Sequence, residues 1–139
     1  MKKILILEDN IGIARSIQLE LEKSGYKAFP VDAIQKADDI LENQTIDLMI
    51  IGFELLSDAN TCDWIQSRNS KKLLTPPFVV STEQLNEKIA LEIKKMGASD
   101  YLLKGSMLIS CMNHVVNRVL KEIEQKEKIT SSQRALEES

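Results

Sequence analysis

Short apolar runs alternate with longer amphipathic segments along the first 105 residues of the chain. The runs are rich in Ile, Leu, Val and Phe and are too short to be helices, which is typical of buried strands. The pattern predicts five of them, at residues 4–7, 28–31, 48–51, 78–80 and 101–103.

The segments between these runs have apolar residues at helical spacing. Ile13, Ile17 and Leu21 are four residues apart and predict the first helix, and Gly25 predicts its end. Asp32 is placed to cap the second helix. The other helices are predicted at about residues 33–41, 61–69 and 89–96, and from a cap near Ser106 onward.

This fivefold alternation predicts an α/β protein with a parallel sheet covered by helices on both faces. Pro30 lies within the second predicted strand, and proline removes a donor from the hydrogen-bonding ladder, so this strand belongs at a sheet edge. The strand order 2-1-3-4-5 makes it an edge. We therefore expect a flavodoxin-like, doubly wound five-stranded sheet with its site at the carboxyl ends of the strands.

Composition and charge exclude several classes of function. The chain has 18 basic and 21 acidic residues, a net charge of -3, and 4% aromatic residues, which argues against nucleic-acid or membrane-surface binding. Glu8 limits the first apolar stretch to four residues, too few for a secretion signal. Cys62 and Cys111 form neither a disulfide framework nor a zinc pattern. The chain is therefore expected in the cytoplasm.

Several polar side chains follow the predicted strands at the same edge of the sheet. Glu8 and Asp9 are adjacent carboxylates that suit a hard divalent cation, although spacing alone favours the simpler interpretation that Asp9 or Asn10 only caps the first helix. Lys104 is able to pair with them or with a phosphoryl group, and Thr82 ends the fourth strand. Taken singly, both are also compatible with ordinary surface or turn residues.

Four blocks taken together resemble the receiver domain of bacterial two-component response regulators, over residues 1–123. They are residues 3–10, 47–51, 77–82 and 97–104.

The resemblance implies a role for each residue at the strand ends. Glu8 and Asp9 fall on the acidic pair that holds Mg²⁺, and Lys104 falls on the lysine that contacts the phosphoryl group. Thr82 falls on the switch hydroxyl, and Tyr101 on the switch aromatic residue. By itself, Tyr101 is a half-buried core aromatic residue.

The end of the third predicted strand departs from the family pattern at the residue that is phosphorylated in the family. Gly52 occupies the position of the phosphorylated aspartate, so no nucleophile for phosphoryl transfer exists there. One metal ligand is lost with it, although Glu54 is close enough in sequence to compensate in part, so Mg²⁺ is expected to bind weakly.

Other departures lie nearby. Leu56 stands where the family has proline, Asn60 or Thr61 where it has glycine, and Gly105 where proline follows the lysine. These departures weigh against an isolated change at residue 52. Without proline, the Lys104–Gly105 bond is expected to be trans, because a cis bond costs about 2.5–4 kcal/mol there.

The C-terminal segment extends beyond the family resemblance. We expect a receiver-like domain at residues 1–123 and a helical linker at 124–139 that leads toward a downstream domain. A seven-residue register of Leu108, Val115, Ile129 and Leu136 predicts a coiled-coil linker or a homodimer through the fifth helix. The same register contains Glu122, so a solvated helix that frays near its end is the alternative. His114 is assigned no role.

These observations predict a pseudo-receiver, a non-enzymatic signalling module that works by contacts along the fourth helix, fifth strand and fifth helix. Its expected partners are other signalling domains of the same chain or proteins of a histidine-kinase pathway, with no nucleic acid and no membrane. The alternatives are a receiver phosphorylated at a displaced carboxylate, Glu54 or Asp58, and a flavodoxin-like small-molecule binder.

Overall fold

The computed structural model describes residues 1–52, 59–70, 76–105 and 108–138, and of residues 59–62, 69–70 and 127–138 it describes the backbone alone. The strands are β1 Lys3–Leu7, β2 Lys27–Val31, β3 Leu48–Gly52, β4 Phe78–Thr82 and β5 Asp100–Leu103. The helices are α1 Ile11–Lys23, α2 Ile34–Asn43, α3 Ala59–Ser70, α4 Glu87–Lys95 and α5 Leu108–Glu138.

The five strands form one parallel sheet in the order β2-β1-β3-β4-β5, which confirms the predicted fold class. The edge position of β2 explains how it tolerates proline. The Lys27 N–H donates to the carbonyl of Lys2 over 2.9 Å, and Val31 accepts from the N–H of Glu8 over 3.0 Å. In a parallel ladder alternate residues pair with the same neighbour, so Pro30 faces the open edge, where its missing N–H breaks no bond of the sheet.

Aliphatic side chains fill both faces of the sheet. On one face, α1 and α5 cover a cluster that includes Ile4, Ile6, Leu48, Ile50 and Val79. On the other face, α2, α3 and α4 cover a cluster that includes Leu5, Leu7, Met49, Ile51, Phe78 and Val80. Because both faces are buried, β1 and β3 have apolar residues at successive positions instead of alternating ones. Each such buried side chain contributes about 1.5–3 kcal/mol relative to an exposed one.

The ends of α1 agree with the sequence. Asn10 is the N-cap, and its side chain accepts from the Ile13 N–H over 3.1 Å, so the cap interpretation is correct for Asn10. Gly25 follows the helix with φ 92°, a conformation that residues with a Cβ rarely adopt, and Gly97 has the same φ after α4. The side chain of Asn86 caps α4 in the same way, accepting from Ile89 over 2.9 Å.

The predicted cap of α2 was wrong. The N-cap is Ala33, one residue later than expected, and it forms no side-chain cap bond. The Asp32 carboxylate instead forms an ion pair with Lys36 at 2.8 Å. The cap predicted for α5 at Ser106 lies outside the described residues. The Lys104–Gly105 bond is trans, as expected.

Helix α5 has 31 residues, which corresponds to about 46 Å. Its first half packs on the sheet, and Leu108 and Val115 are buried in that interface. The first two positions of the seven-residue register therefore face the domain's own core. The backbone remains helical to Glu138, whereas the side chains of Ile129 and Leu136 lie outside the described residues, so the coiled coil stays a prediction.

Within the described part of the chain, no helix combines the length and apolar composition that crossing a bilayer requires.

Candidate functional site

The parallel strands bring the sequence-predicted residues to one edge of the sheet, which we call the carboxyl rim. Glu8 follows β1, Gly52 and Thr82 are the last residues of β3 and β4, and Lys104 follows β5. A backbone bond from the N–H of Lys104 to the carbonyl of Thr82 joins the last two strands at this rim.

Glu8 and Lys104 form a buried ion pair across the rim. The Lys104 Nζ lies 3.0 Å from Glu8 Oε2 and donates to Oε1 over 3.2 Å. The side chain of Glu8 is 2% exposed and that of Lys104 is 6% exposed. The N–H of Asn10 also donates to Oε1, over 3.2 Å. The structure thus pairs Lys104 with Glu8, one of the partners that the sequence allowed for this lysine, the other being a phosphoryl group.

Burial is the main influence on the pKa of Glu8, which it raises above its usual value because desolvation disfavours the charged carboxylate. The hydrogen bond and charge of Lys104 oppose this shift in the pKa, as does the bond from Asn10. Asp9 is exposed, although it is adjacent to Glu8 in sequence. The two acidic residues therefore lie in different environments.

Gly52 lies directly beneath this ion pair. A Cβ atom at residue 52 would lie 2.5 Å from Glu8 Oε2, closer than non-bonded atoms approach, and 3.2 Å from its Cδ. The carboxylate of Glu8 therefore occupies the space into which a side chain at the acceptor position would project. A larger residue at this position requires the end of the Glu8 side chain to shift.

Ser81 also belongs to the rim, at the carboxyl end of β4 where the strand order predicts a site. It is the register partner of Gly52, it is fully buried, and its Oγ has no hydrogen-bond partner among the described residues. Alternation along β4 places it on the same face as the buried Val79.

The two predicted switch residues differ in burial. The Thr82 hydroxyl is buried and donates to the carbonyl of Gln84 over 2.8 Å, so it is engaged with the loop after β4. Tyr101 is 38% exposed on β5 and is less buried than a core aromatic residue. The structure thus brings Glu8, Gly52 and Lys104 together, while the Thr82 hydroxyl bonds to the loop after β4 and Tyr101 is exposed.

The described residues do not form a complete magnesium site. The Glu8 carboxylate is bound to Lys104, and no group of three metal-ligating side chains occurs within the part of the chain that the structure describes. Glu54 and Asp58 lie outside the described residues. Binding of Mg²⁺ by Glu8, Asp9 and Glu54 therefore stays a prediction.

Exposed apolar side chains mark the surface formed by α4 and β5. Leu91 on α4 is 54% exposed, and Leu103 on β5 is 50% exposed beside Tyr101. An ion pair between Arg118 and Asp100 connects α5 to this edge strand. We refer to Leu91, Tyr101 and Leu103 as the α4–β5 surface.

Comparison with solved structures finds the same fold in many proteins. A response regulator from Thermotoga maritima is 16% identical and has a TM-score of 0.75, with 87% of this chain and 98% of that chain covered. A CheY-like receiver domain protein from Methanospirillum hungatei is 20% identical with a TM-score of 0.75, covering 91% and 98%. NtrX from Brucella abortus, solved in complex with ADP, is 17% identical with a TM-score of 0.79, covering 94% of this chain and 29% of that chain.

Sequence comparison with curated proteins and with family models identifies the family of this chain. No sequence among the curated proteins matches the chain significantly. The family model described as the response regulator receiver domain matches residues 4–116, which is most of the chain. The chain therefore belongs to the response regulator receiver domain family of two-component signalling.

Proposed function

We propose that this domain transmits signals without accepting a phosphoryl group, as a pseudo-receiver. The observation that carries the proposal is Gly52 at the end of β3, where the family resemblance assigns the acceptor aspartate. Phosphoryl transfer to a receiver needs a carboxylate oxygen as nucleophile, and glycine offers none.

The ion pair at the rim supports the same proposal. The Glu8 carboxylate fills the space next to residue 52, and Lys104 already has an anionic partner with both side chains almost fully buried. A phosphoryl group entering this space would have to displace a buried carboxylate. Glu8, Asp9 and Lys104 resemble a metal and phosphoryl site. In this proposal they are a structural remnant of that site.

The surface available for signalling is the one formed by α4, β5 and α5. Its exposed apolar residues suit protein–protein contacts, since a partner that covers them removes apolar area from water. Tyr101 retains the family's residue type on this surface, and Thr82 retains it at the buried end of β4. We expect the partners to be other signalling domains of the same chain or proteins of a histidine-kinase pathway.

Helix α5 provides a second route for output. In this proposal, residues 1–123 form the receiver-like domain and residues 124–139 form a linker toward a downstream domain. The ion pair between Lys2 and Glu124, at 3.6 Å, joins the start of β1 to the point where the helix leaves the domain. A homodimer through α5 and a place in the cytoplasm belong to the same proposal.

Treatment with a phosphodonor tests the proposal directly. The chain is incubated with acetyl phosphate and Mg²⁺ and its intact mass is measured, while a receiver domain with an acceptor aspartate serves as positive control. We expect no phosphoryl adduct on this chain. A stoichiometric adduct would contradict the proposal, and its loss in Glu54→Gln or Asp58→Asn variants would assign it to a displaced carboxylate.

A further inference from the structure

Helix α5 has a row of polar side chains beside its apolar face. The buried residues of its first half share that face and pack on the sheet and on α1: Leu108, Met112, Val115, Val116, Val119 and Leu120. Three polar residues lie along one side of this face, within about 40° of one another around the helix: Asn113, Asn117 and Glu124. We refer to these three residues as the polar row.

Two residues of the polar row form hydrogen bonds with α1 and with the turn that follows it. The Asn113 Nδ2 donates to Glu20 Oε1 over 2.8 Å, and the Tyr26 hydroxyl donates to Asn117 Oδ1. The Tyr26 ring packs, partly buried, against the cluster between α1 and α5. Burial raises the pKa of the Tyr26 hydroxyl above its usual value, and the charge of Glu124 raises this pKa further. The hydroxyl therefore stays protonated and able to donate at neutral pH.

The opposite side of the apolar face also has a polar contact. Arg118 follows Asn117 in the sequence and is about 100° further around the helix, where it forms an ion pair with Asp100 of β5. The apolar face is thus bounded by contacts to α1 on one side and to β5 on the other. The ion pair between Lys2 and Glu124 continues the first set of contacts to the point where the helix leaves the domain.

These polar contacts restrict the rotation of the helix more strictly than its apolar face does. Aliphatic side chains attract their neighbours without a preferred direction, so repacking of an apolar interface tolerates small turns of a helix. Hydrogen bonds weaken steeply outside a narrow range of distance and angle. Polar residues at helix interfaces can therefore fix register where apolar packing alone does not.

From these contacts we infer that the polar row sets the rotation of α5 about its own axis, and with it the side that residues 124–139 turn toward a downstream domain. The inference rests on the proposed function, which gives α5 a part in output. Asn113, Asn117 and Tyr26 are positioning residues in this arrangement. The pair of Lys2 and Glu124 is about half exposed and adds less, because exposed ion pairs contribute little.

Residual dipolar couplings of the backbone N–H groups, measured by NMR, test the inference because they report the orientation of α5 relative to the sheet. The original chain is compared with a triple variant, Tyr26→Phe with Asn113→Ala and Asn117→Ala. Phenylalanine keeps the ring in its cluster, and alanine favours the helix. We expect α5 to turn by about 20° or more, a fifth of the step between neighbouring residues, while the couplings of the strands still fit the original sheet.

Two further variants complete the experiment. Val116→Ala is the matched control, because Val116 is fully buried on the apolar face of α5. It should lower Tm without turning the helix. Tyr26→Phe alone removes a single hydroxyl and should give a smaller turn in the same sense, which keeps the test decisive if the triple variant does not fold.

The possible results separate this inference from the proposed function. An unchanged orientation of α5 in the polar-row variants, or an equal turn in Val116→Ala, would overturn the inference. The proposed function is contradicted by a different result, a phosphoryl adduct on the unsubstituted chain.

Discussion

The middle of the sheet is filled by aliphatic side chains, whereas its carboxyl rim buries one carboxylate and one ammonium. Ile50 in β3 is 1% exposed and packs among other apolar residues. Glu8 and Lys104 are buried almost as completely, yet each depends on the other. Two neighbouring regions of the sheet thus reach similar burial by different means.

The difference concerns which interactions maintain each region. In the middle of the sheet, removal of apolar area from water is itself favourable, and many neighbours share the contribution of any one residue. At the rim, burial is unfavourable for each charge alone, and the opposite charge compensates for it, with a further hydrogen bond from the Asn10 N–H to Glu8. The rim should therefore respond to substitution as a coupled pair and the middle as a sum of separate contacts.

The largest expected effect comes from removing one member of the rim pair. Lys104→Ala should lower the free energy of unfolding by about 3–5 kcal/mol, because the Glu8 carboxylate is left buried without its partner. Lys104→Met combined with Glu8→Gln should recover most of this loss. Chemical denaturation of the single and double variants measures the coupling.

A core substitution gives the matching control. Ile50→Ala should cost about 2–5 kcal/mol through lost burial and a residual cavity, and its effect should add to that of Lys104→Ala. If the stability losses of Lys104→Ala and Glu8→Gln were additive and the double variant recovered neither, the rim would behave like the core.

Helix caps should have an intermediate effect and sharpen the boundary of the rim. Asn10→Ala should cost about 1 kcal/mol, because the Ile13 N–H loses its acceptor, while the backbone bond from Asn10 to Glu8 is retained. Asn86→Ala, which removes the corresponding cap of α4, is the control and should cost about the same. If Asn10→Ala cost much more stability than Asn86→Ala, the residues coupled to the rim pair would include the start of α1.

The smallest effect is expected at the exposed pair of Asp32 and Lys36. The hydrogen bond and the charge of Lys36 lower the pKa of Asp32. The pair therefore stabilises the fold at pH values above the usual pKa of an aspartate, and this contribution is lost as the pH falls through the lowered pKa. Because both side chains are largely exposed, Asp32→Asn should lower Tm less than Asn10→Ala does.

Thermal unfolding at several pH values measures this effect. The difference in Tm between the original chain and Asp32→Asn should shrink toward acidic pH. A difference that grows as the pH falls would contradict the assigned sign.

The sequence predicted features that depend on neighbouring residues or on strict periodicity. Pro30 indicated the edge strand, because one missing donor is a property of the residue itself. Gly25 marked the end of α1 for a similarly local reason, its positive φ. The assignment of Asp32 as the cap of α2 was wrong. Whether its carboxylate caps the helix or pairs with Lys36 depends on a shift of one residue in where the helix begins.

Periodicity and the proline of the second strand were sufficient to predict the α/β architecture and the strand order, and the resemblance to receiver domains implied that Gly52 lies at the acceptor position. The sequence allowed Lys104 to pair with either acidic residue after β1 or with a phosphoryl group, and the folded sheet pairs it with Glu8, 96 positions away, directly above Gly52. Side-chain contacts between distant strands depend on the register and order of the whole sheet. For this reason a metal site and an ion pair both remained possible from the sequence, and the structure contains the ion pair.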